Sequence, residues 1–402
     1  MALNIKVGPI GLLDMLKFAN LDKDRDKVIN AAPAKEITAN FPINNFAKSQ
    51  HPDYQKFVID EIIDHTSAGA KTFVLKRADG KTASYFRAGQ YISLKLPIGD
   101  SVVSRPYSIS SSPKWAFEGK VAVTVKTNPG GFAADWMLTN FKVGDEVIGS
   151  EGLGNFCYES YRDANHVIAL AGGSGITPFL SMAYAIRDGI EDFKLTILFG
   201  SRNEEAILFK KEFDEICAVT DKVKVVHVLS NEEKEGYEHG FITAELIQKY
   251  AGNEPYSIFI CGPEAMYRFV QKEVVKLQLD KKYVRQEFLG ATKTVWEQPG
   301  YPKEAKDKVF KLTVKQGDKE IVCDCNANEP ILVAVERAGI KAPSRCRAGE
   351  CGWCRSRVIS GEVFVPEETD GRRWADKQSS EIHPCASFAL SDLTIVVPGE
   401  YF

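Results

Sequence analysis

The stretch CRAGECGWC at residues 346–354 constrains the fold of this chain more than any other feature. It places Cys346, Cys351 and Cys354 in the order C-x4-C-x2-C, interleaved with glycine. A further cysteine, Cys385, follows in the segment HPCASF. Thiols at fixed short spacings, alternating with glycine, are typical of a site that holds a metal centre through thiolate bonds. The C-terminal part of the chain must therefore bring Cys385 back to this loop.

The cysteine spacing predicts a [2Fe-2S] cluster. The order C-x4-C-x2-C with one distant cysteine is the plant-type ligand pattern for such a cluster. Small residues in the loop, Ala348, Gly349 and Gly352, let backbone N–H groups approach the sulfur atoms and tune the reduction potential. A structural zinc site is the alternative, but zinc favours paired C-x2-C turns. His383, two residues before Cys385, is a candidate for a further tuning hydrogen bond.

Length, charge and cysteine usage exclude several classes of protein. A chain of 402 residues is too long for one hydrophobic core and predicts several domains. The formal net charge of -3 gives no basic excess with which to bind nucleic acid. No apolar run is long enough to span a membrane, and no signal peptide is recognisable. Nine unevenly scattered cysteines argue against a disulfide framework and predict a reducing, cytoplasmic compartment.

The pattern of apolar segments changes along the chain. An N-terminal extension has a candidate helix, GLLDMLKFANL, and no assignable chemistry. Short strand-like segments with Gly, Pro and Asp between them then predict a β-barrel, and alternating strands and helices predict a parallel sheet. A stretch with two prolines and no periodicity reads as a linker to a last unit of strands and one helix. The predicted boundaries are 1–52, 53–158, 159–290, 291–307 and 308–402.

The segment RPYSISSSP, residues 105–113, carries the chemistry of the barrel region. Arg105 is a permanent cation suited to a phosphate, and Tyr107 offers an aromatic face to a ring system. Ser108 can hydrogen-bond to a ring nitrogen, and Pro106 belongs to the same candidate binding motif.

A second candidate binding segment, NPGGFAADWM, follows the first by some twenty residues. Gly130 and Gly131 permit close approach of the backbone to a phosphate. The short helix expected after them, from Phe132, would favour an anion at its N-terminus.

A glycine-rich turn, AGGSGITP, follows a predicted strand and opens a helix, which is the setting in which such turns bind dinucleotides. The glycines allow a tight turn and close approach to a pyrophosphate. Thr177 is expected to cap the helix, and Pro178 suits its first turn. Near the end of the sheet comes the segment CGPEAM. The candidate nucleotide-binding residues of the two segments are Gly172, Gly173, Gly175, Thr177, Pro178, Cys261, Gly262 and Pro263.

Taken in order, the motifs RxYS, GGxxA, GGSGITP and CGP make residues 53–290 similar to the ferredoxin-NADP reductase superfamily. Residues 308–402 resemble the plant-type ferredoxin domain, with CRAGECGWC as the most specific segment. The two resemblances imply a multidomain protein of α+β and α/β class. Its parts would be a flavin-binding β-barrel, a Rossmann-like nicotinamide domain and a C-terminal β-grasp ferredoxin domain.

The resemblance also implies roles for individual residues. Tyr107 would pack against the isoalloxazine, with Ser108 near flavin N5, and Cys261 would lie close to the nicotinamide. Ser108 and Cys261 are therefore the candidate catalytic residues. One departure concerns the phosphate loop, where the family commonly has serine or threonine and this chain has Ala134.

The identity of the two nucleotides is less closely determined. The segments RPYSIS and EGLGNFCY favour FAD over FMN, because Phe156 or Tyr158 could offer a face to an adenine. Ser201 and Arg202 could hold the 2′-phosphate of NADPH. The acidic pair that follows them, Glu204 and Glu205, would repel that phosphate, so NADPH is only slightly favoured over NADH.

The whole chain resembles the single-chain reductases that supply oxygenases and hybrid-cluster proteins. The implied activity is an NAD(P)H oxidoreductase that passes single electrons through FAD and a [2Fe-2S] cluster to a partner protein. The basic and aromatic loop with Arg372, Arg373 and Trp374 is a candidate docking surface for that partner. Two alternatives stay open, namely reverse flow that makes NAD(P)H, and a non-autonomous subunit of a larger redox complex.

Overall fold

The structure is a computed structural model that describes residues 11, 21–31, 41–127, 131–288 and 290–399. The chain divides into two units, residues 1–49 and residues 50–402. The described helices of the N-terminal segment are α1, Leu21–Ala31, and α2, Pro42–Gln50. No residue of α2 is buried. Nearly all of the helix expected from GLLDMLKFANL lies outside the described residues.

A closed antiparallel barrel opens the second unit. Its strands are β1 (Gln55–His65), β2 (Ala70–Arg77), β3 (Tyr91–Ile98), β4 (Ser101–Ser108), β5 (Lys120–Lys126) and β6 (Glu146–Gly149). They lie in the order β4-β3-β6-β1-β2-β5, and a bridge between Ile109 and Val123 joins the two ends. Inward-facing apolar side chains fill the barrel, and helix α3 (Phe132–Asn140) adds Ala133 and Met137 to this core. The predicted barrel is confirmed.

A parallel sheet with helices follows the barrel. Its strands are β7 (His166–Gly172), β8 (Lys194–Ser201), β9 (Val223–Leu229), β10 (Glu238–His239), β11 (Tyr256–Cys261) and β12 (Val284–Gln286), and its helices are α4 (Thr177–Arg187), α5 (Lys210–Cys217), α6 (Ala244–Ala251) and α7 (Glu264–Lys276). All neighbours in the order β10-β9-β8-β7-β11-β12 are parallel. The strand order reverses between β7 and β11, which is where open α/β sheets bind their ligands.

The C-terminal part is a mixed sheet that curves over one helix. Its elements are β13 (Val309–Gln316), β14 (Lys319–Asn326), α8 (Ile331–Arg337), β15 (Ser356–Ser360), β16 (Val363–Phe364), α9 (Trp374–Gln378), β17 (Glu381–Ile382), β18 (Phe388–Ala389) and β19 (Leu393–Val396). The main sheet has the order β14-β13-β19-β15-β17. Buried residues of α8, including Ile331 and Val335, pack on its inner face. This arrangement confirms the β-grasp prediction.

The segment 291–307, expected to be a linker, packs against the ferredoxin part. Val295 is fully buried, and Tyr301 and Ala305 lie beside it against Ala327 and Phe388. The Tyr301 hydroxyl donates to the carbonyl oxygen of Ala327 at 3.1 Å. This packing could not be predicted, because three separate apolar residues give the sequence of the segment no periodic pattern.

Among the described residues, no helix has both the length and the apolar character that crossing a bilayer requires.

Because the side chain of Val295 is fully buried, Val295→Ala should destabilise the ferredoxin part by about 1–3 kcal/mol through lost burial and an added cavity. Urea titrations followed by the visible absorbance of the iron–sulfur cluster would measure this change. Val309→Ala, at an exposed position of β13, is the matched control and should cost no more than about 0.5 kcal/mol. Equal effects of the two substitutions would contradict the packing of residues 291–307.

Candidate functional site

Four cysteines meet in the ferredoxin part, as the sequence spacing requires. Cys346, Cys351 and Cys354 lie in the loop between α8 and β15, and Cys385 lies in the short 3-10 turn Pro384–Ala386. The sulfur atoms of Cys354 and Cys385 are 3.3 Å apart. The thiol of Cys346 interacts with those of Cys351 and Cys385. Each of the four thiols therefore neighbours at least one other, and together they are the donor set that a [2Fe-2S] cluster needs.

Backbone amides of the loop point at the sulfur atoms. The N–H groups of Ala348 and Cys351 each lie 3.4 Å from Cys346 Sγ, and the N–H of Trp353 lies 3.5 Å from Cys351 Sγ. Hydrogen bonds from the neighbouring thiols and from these amides hold the pKa of Cys346 well below its usual range. A loop that stabilises a thiolate in this way suits a cluster ligand.

Gly349 and His383 fix the shape of this loop. Gly349 has a φ of +84°, and a Cβ there would lie 2.3 Å from the carbonyl oxygen of Thr369. His383 is buried, and its Nδ1 hydrogen-bonds to the carbonyl oxygen of Gly349. The His383 ring thus supports the loop backbone rather than a sulfur atom.

The candidate flavin residues lie on β4, next to the cluster loop. Burial raises the pKa of Tyr107 to about 12, which keeps its hydroxyl neutral. Burial is also the main cause that lowers the pKa of Arg105 to about 10, so Arg105 remains a cation at neutral pH. Its guanidinium Nη1 lies 3.6 Å from Glu336 Oε2 on α8. Pro106 sits between these two side chains in the strand.

The candidate phosphate loop is described only in part, because Gly130 lies outside the described residues. Helix α3 begins at Phe132, with Gly131 as its N-cap residue. Phe132 is more than half exposed, and Ala134 packs at the edge of the barrel core.

The two nucleotide-binding motifs share the carboxyl edge of the parallel sheet. Ala171 of β7 pairs with Cys261 of β11, so the GGSG turn and the CGP segment are neighbours at the point where the strand order reverses. A Cβ on Gly175 would lie 2.1 Å from the carbonyl oxygen of Cys261. A Cβ on Gly172 would lie 2.6 Å from the sulfur of Met266. Only glycine fits at position 175, where the Cβ would meet backbone, whereas a side chain at position 172 would have to displace that of Met266.

The remaining residues of these motifs occupy the same edge. Gly173 has a φ of +54° with open space around its Cα, and Gly262 lies against Met266. The thiol of Cys261 is buried, and burial raises its pKa well above the ordinary value, so it stays neutral. Pro263 is the N-cap residue of α7.

Two expectations for this region were wrong. Thr177 does not cap its helix from outside, because a 3-10 turn already precedes it and α4 begins at Thr177 itself; its hydroxyl donates to the carbonyl oxygen of Ser174 at 2.9 Å. Phe156 and Tyr158 do not present free faces to an adenine. Both are buried in the core of the nucleotide domain, and Tyr158 stacks on Phe193 at 4.2 Å.

Glu287, which the sequence reading missed, joins the flavin strand to the nicotinamide edge. Its Oε2 accepts a hydrogen bond from Ser108 Oγ at 3.1 Å, and its backbone N–H donates to Ile260, the residue before Cys261. Burial raises the pKa of Glu287 to about 8, so the carboxyl is mostly protonated at neutral pH. Its one sequence signal is an acidic residue directly after the last strand of the sheet.

Phe288 extends this contact to the cluster. It packs with Tyr91 against Cys346 and Ala348 of the cluster loop. Tyr91 pairs with Ser108 across β3 and β4. The flavin strand, the nicotinamide edge and the first cluster ligand therefore meet around residues 287–288.

Comparison with sequence families assigns the three parts. Residues 61–158 match the family described as "Oxidoreductase FAD-binding domain", residues 169–272 match "Oxidoreductase NAD-binding domain", and residues 314–390 match "2Fe-2S iron-sulfur cluster binding domain". The chain is an NAD(P)H-dependent oxidoreductase of the ferredoxin reductase type. The predicted cofactors FAD, [2Fe-2S] and NAD(P)H are confirmed by these matches, and the zinc alternative is set aside.

Two relatives of the reductase have similar length. The glycine betaine monooxygenase reductase subunit of Chromohalobacter salexigens is 27% identical over 335 residues, which are 79% of this chain and 89% of the relative. The ferredoxin reductase component of 3-ketosteroid-9-alpha-monooxygenase from Mycobacterium tuberculosis is 27% identical over 316 residues, 76% of this chain and 85% of the relative.

The fold also matches a solved structure. Phthalate dioxygenase reductase superposes with a TM-score of 0.60 at 24% identity, and the match covers 86% of this chain and 98% of the phthalate dioxygenase reductase chain. This likeness supports the fold and its three-part order.

The raised pKa of Glu287 predicts a pH dependence of stability. The pKa of the Glu287 carboxyl is about 8 in the folded protein, whereas its ordinary value is 4.5. The stabilisation of the folded protein by the protonated carboxyl is therefore complete below about pH 4.5, and it is lost as the pH rises through 8. Glu287→Gln should therefore flatten the fall in the thermal unfolding midpoint between about pH 5 and 9. Calorimetry of both proteins across this range would measure it.

Glu233→Gln, at an exposed position of the nucleotide domain, is the control and should leave the slope unchanged. If Glu287→Gln kept the slope of the unsubstituted protein, the protonated state of Glu287 at neutral pH would be refuted.

Proposed function

We propose that this protein is the reductase component of an oxygenase system, passing electrons from NAD(P)H to a partner oxygenase. The observation that carries the proposal is the meeting of the flavin strand, the nicotinamide edge and Cys346 around Glu287 and Phe288. The relatives named as monooxygenase reductase components support the choice of an oxygenase as acceptor. The boundaries 53–158, 159–290, 291–307 and 308–402 are part of this proposal.

The proposed residue roles rest on the family resemblance and are supported by the contacts described above. FAD held by these residues would supply the chemistry that links a two-electron nicotinamide donor to a one-electron [2Fe-2S] acceptor. Tyr107 would pack on the flavin ring, and Ser108, held by Glu287, would hydrogen-bond to it. The neutral thiol of Cys261 would pack against the nicotinamide without adding charge. Arg105 would supply a cation near the flavin phosphates.

We propose the remaining candidate residues as nucleotide contacts in the same way. The backbone of the glycine turn would approach the pyrophosphate of NAD(P)H, with Thr177 and Pro178 shaping the helix that follows. Gly130, Gly131 and Phe132 would border the flavin phosphates, and Gly262 and Pro263 the nicotinamide. Cys346, Cys351, Cys354 and Cys385 would bind the cluster irons.

The charges around Arg202 support NADPH as the preferred donor. Burial and the positive charge of Arg202 lower the pKa of Lys126, a basic residue that the sequence reading did not include. Glu204, expected to repel a phosphate, is paired with Lys234 and Tyr237. Ser201 Oγ is buried, and no described group hydrogen-bonds to it. These contacts favour a 2′-phosphate beside Arg202.

The docking surface is proposed on the loop that covers the cluster. Gly371 in this loop packs so closely that a Cβ there would lie 2.5 Å from the carbonyl oxygen of Gly349. Trp374 is 76% exposed and Arg373 is exposed, whereas Arg372 is held by Asp370 at 2.8 and 2.9 Å. The available anchors are therefore Arg373 and Trp374, and Arg372 shapes the loop.

A reducing, cytoplasmic location fits nine cysteines that are all free. Reverse flow toward NAD(P)H and a role as a subunit without turnover of its own remain alternatives for experiment to separate.

An anaerobic titration with NADPH and, separately, NADH tests the proposed function. About 1.5 equivalents of NADPH should bleach both the flavin and the iron–sulfur absorbance, because FAD takes up two electrons and the cluster one, and NADH should need a higher concentration. Turnover with a one-electron acceptor would count against the subunit alternative, and a cluster potential well below that of NAD(P)H would favour reverse flow. Flavin bleaching with an unchanged cluster band would contradict the relay.

The docking proposal predicts a selective effect of Arg373→Ala and Trp374→Ala. Each should raise the KM for the cognate oxygenase about tenfold, since exposed aromatic and arginine anchors dominate interface energies, and leave reduction of the cluster by NADPH unchanged. Phe241→Ala, an exposed aromatic in the nucleotide domain, is the matched control. Normal oxygenase turnover by both loop variants would rule out this surface.

A further inference from the structure

A single carboxylate, that of Glu336, joins the flavin strand to the cluster loop. Glu336 lies on α8, and both its oxygens accept hydrogen bonds from Arg347, at 2.6 and 3.1 Å. Arg347 follows the first cluster ligand directly. On its other side, Glu336 Oε2 lies 3.6 Å from Nη1 of Arg105, in the flavin motif. The three side chains form an Arg–Glu–Arg triad between the two domains.

The triad is buried. The side chains of Arg347 and Glu336 are 8% and 7% exposed, and that of Arg105 is 20% exposed. Two guanidinium groups share one carboxylate, so removing the carboxylate would leave the buried Arg347 without its paired anion and would also take away the carboxylate nearest Arg105. Buried ion pairs add little net stability over apolar packing, but breaking one is costly because an unpaired charge stays in a medium of low dielectric. Such a group therefore favours one relative placement of the two domains over others.

Three further contacts lie on the same β3–β4 hairpin. Ser101 Oγ donates to the carbonyl oxygen of Glu336 at 2.8 Å, and Ser93 Oγ donates to that of Arg345 at 3.4 Å. At the start of β3, Tyr91 packs against Cys346. One hairpin thus carries the flavin motif and also makes the polar and apolar contacts to the cluster loop.

We propose that Glu336 is a positioning residue, which fixes the cluster loop against the flavin strand and thereby sets the rate of electron transfer from flavin to cluster. This inference rests on the proposed function, since it assumes that flavin and cluster exchange electrons within one chain. It concerns the geometry of that step and assigns Glu336 no contact with either cofactor.

A change in driving force can be told apart from a change in geometry. The charge around a cluster helps set its reduction potential. Replacing Glu336 by glutamine removes a negative charge that is paired with Arg347 of the cluster loop, which should raise the cluster potential. A higher potential makes the cluster a better acceptor. If reduction of the cluster nevertheless becomes slower, the cause is altered placement.

The test compares Glu336→Gln with the unsubstituted protein by anaerobic stopped flow. With NADPH, flavin bleaching should keep its rate, whereas bleaching of the cluster band should slow by about tenfold or more, since small misplacements of reacting groups have effects of this size. Redox titration should show an unchanged or higher cluster potential. Hydrogen exchange of β3 and α8 amides should be faster. This last readout does not depend on turnover.

The control is Glu329→Gln in the same domain, where Glu329 pairs with Arg337 at 2.6 Å; it should leave the ratio of the two bleaching rates unchanged. If Glu336→Gln does not fold, Ser101→Ala provides a milder test and should slow cluster bleaching about twofold to threefold. Unchanged cluster bleaching and unchanged hydrogen exchange in the Glu336 or Ser101 variant would overturn the positioning role. Failure of the unsubstituted protein to reduce its own cluster would instead overturn the proposed function.

Discussion

The packing of Tyr91 and Phe288 against Cys346 and Ala348 is the contact on which the arrangement of the three parts depends. Tyr91 belongs to the barrel and Phe288 follows the last strand of the nucleotide sheet, so each domain contributes one aromatic side chain to the surface of the cluster loop. Apolar contact of this kind excludes water from the boundary between the domains, but it does not fix their relative orientation, because the hydrophobic effect has no direction. The orientation is set by the polar contacts around it, namely Ser108 with Glu287 and Arg105 with Glu336.

Those polar contacts carry an energetic cost that the apolar packing must offset. A buried carboxyl such as that of Glu287 is kept largely neutral by desolvation. Glu336 remains tolerable because it is shared by two guanidinium groups. Both carboxyl groups lie at boundaries between domains, and neither lies inside the barrel core. The two carboxyl groups therefore act by fixing the relative position of the domains, which electron transfer between successive carriers requires.

The sequence predicted the parts of the molecule whose chemistry is local. The cysteine spacing, the glycine turn before α4 and the alternation of strands in the barrel each follow from constraints within a few residues, and the structure agrees with them. Glu287 and Glu336 were missed because their partners, Ser108 and Arg347, are distant in the chain or belong to another element. The prediction for Phe156 and Tyr158 was wrong because the sequence does not distinguish an aromatic residue that packs into the core from one that faces a ligand.

We infer that electrons pass from flavin to cluster inside one molecule, across the contact that Tyr91 makes with the cluster loop. The most direct test is the rate of cluster reduction after mixing with NADPH, measured over a hundredfold range of protein concentration. Transfer within one molecule should give a first-order rate that does not change with protein concentration. A rate proportional to protein concentration would mean that the cluster is reduced by a second molecule, and it would rule out transfer within one molecule.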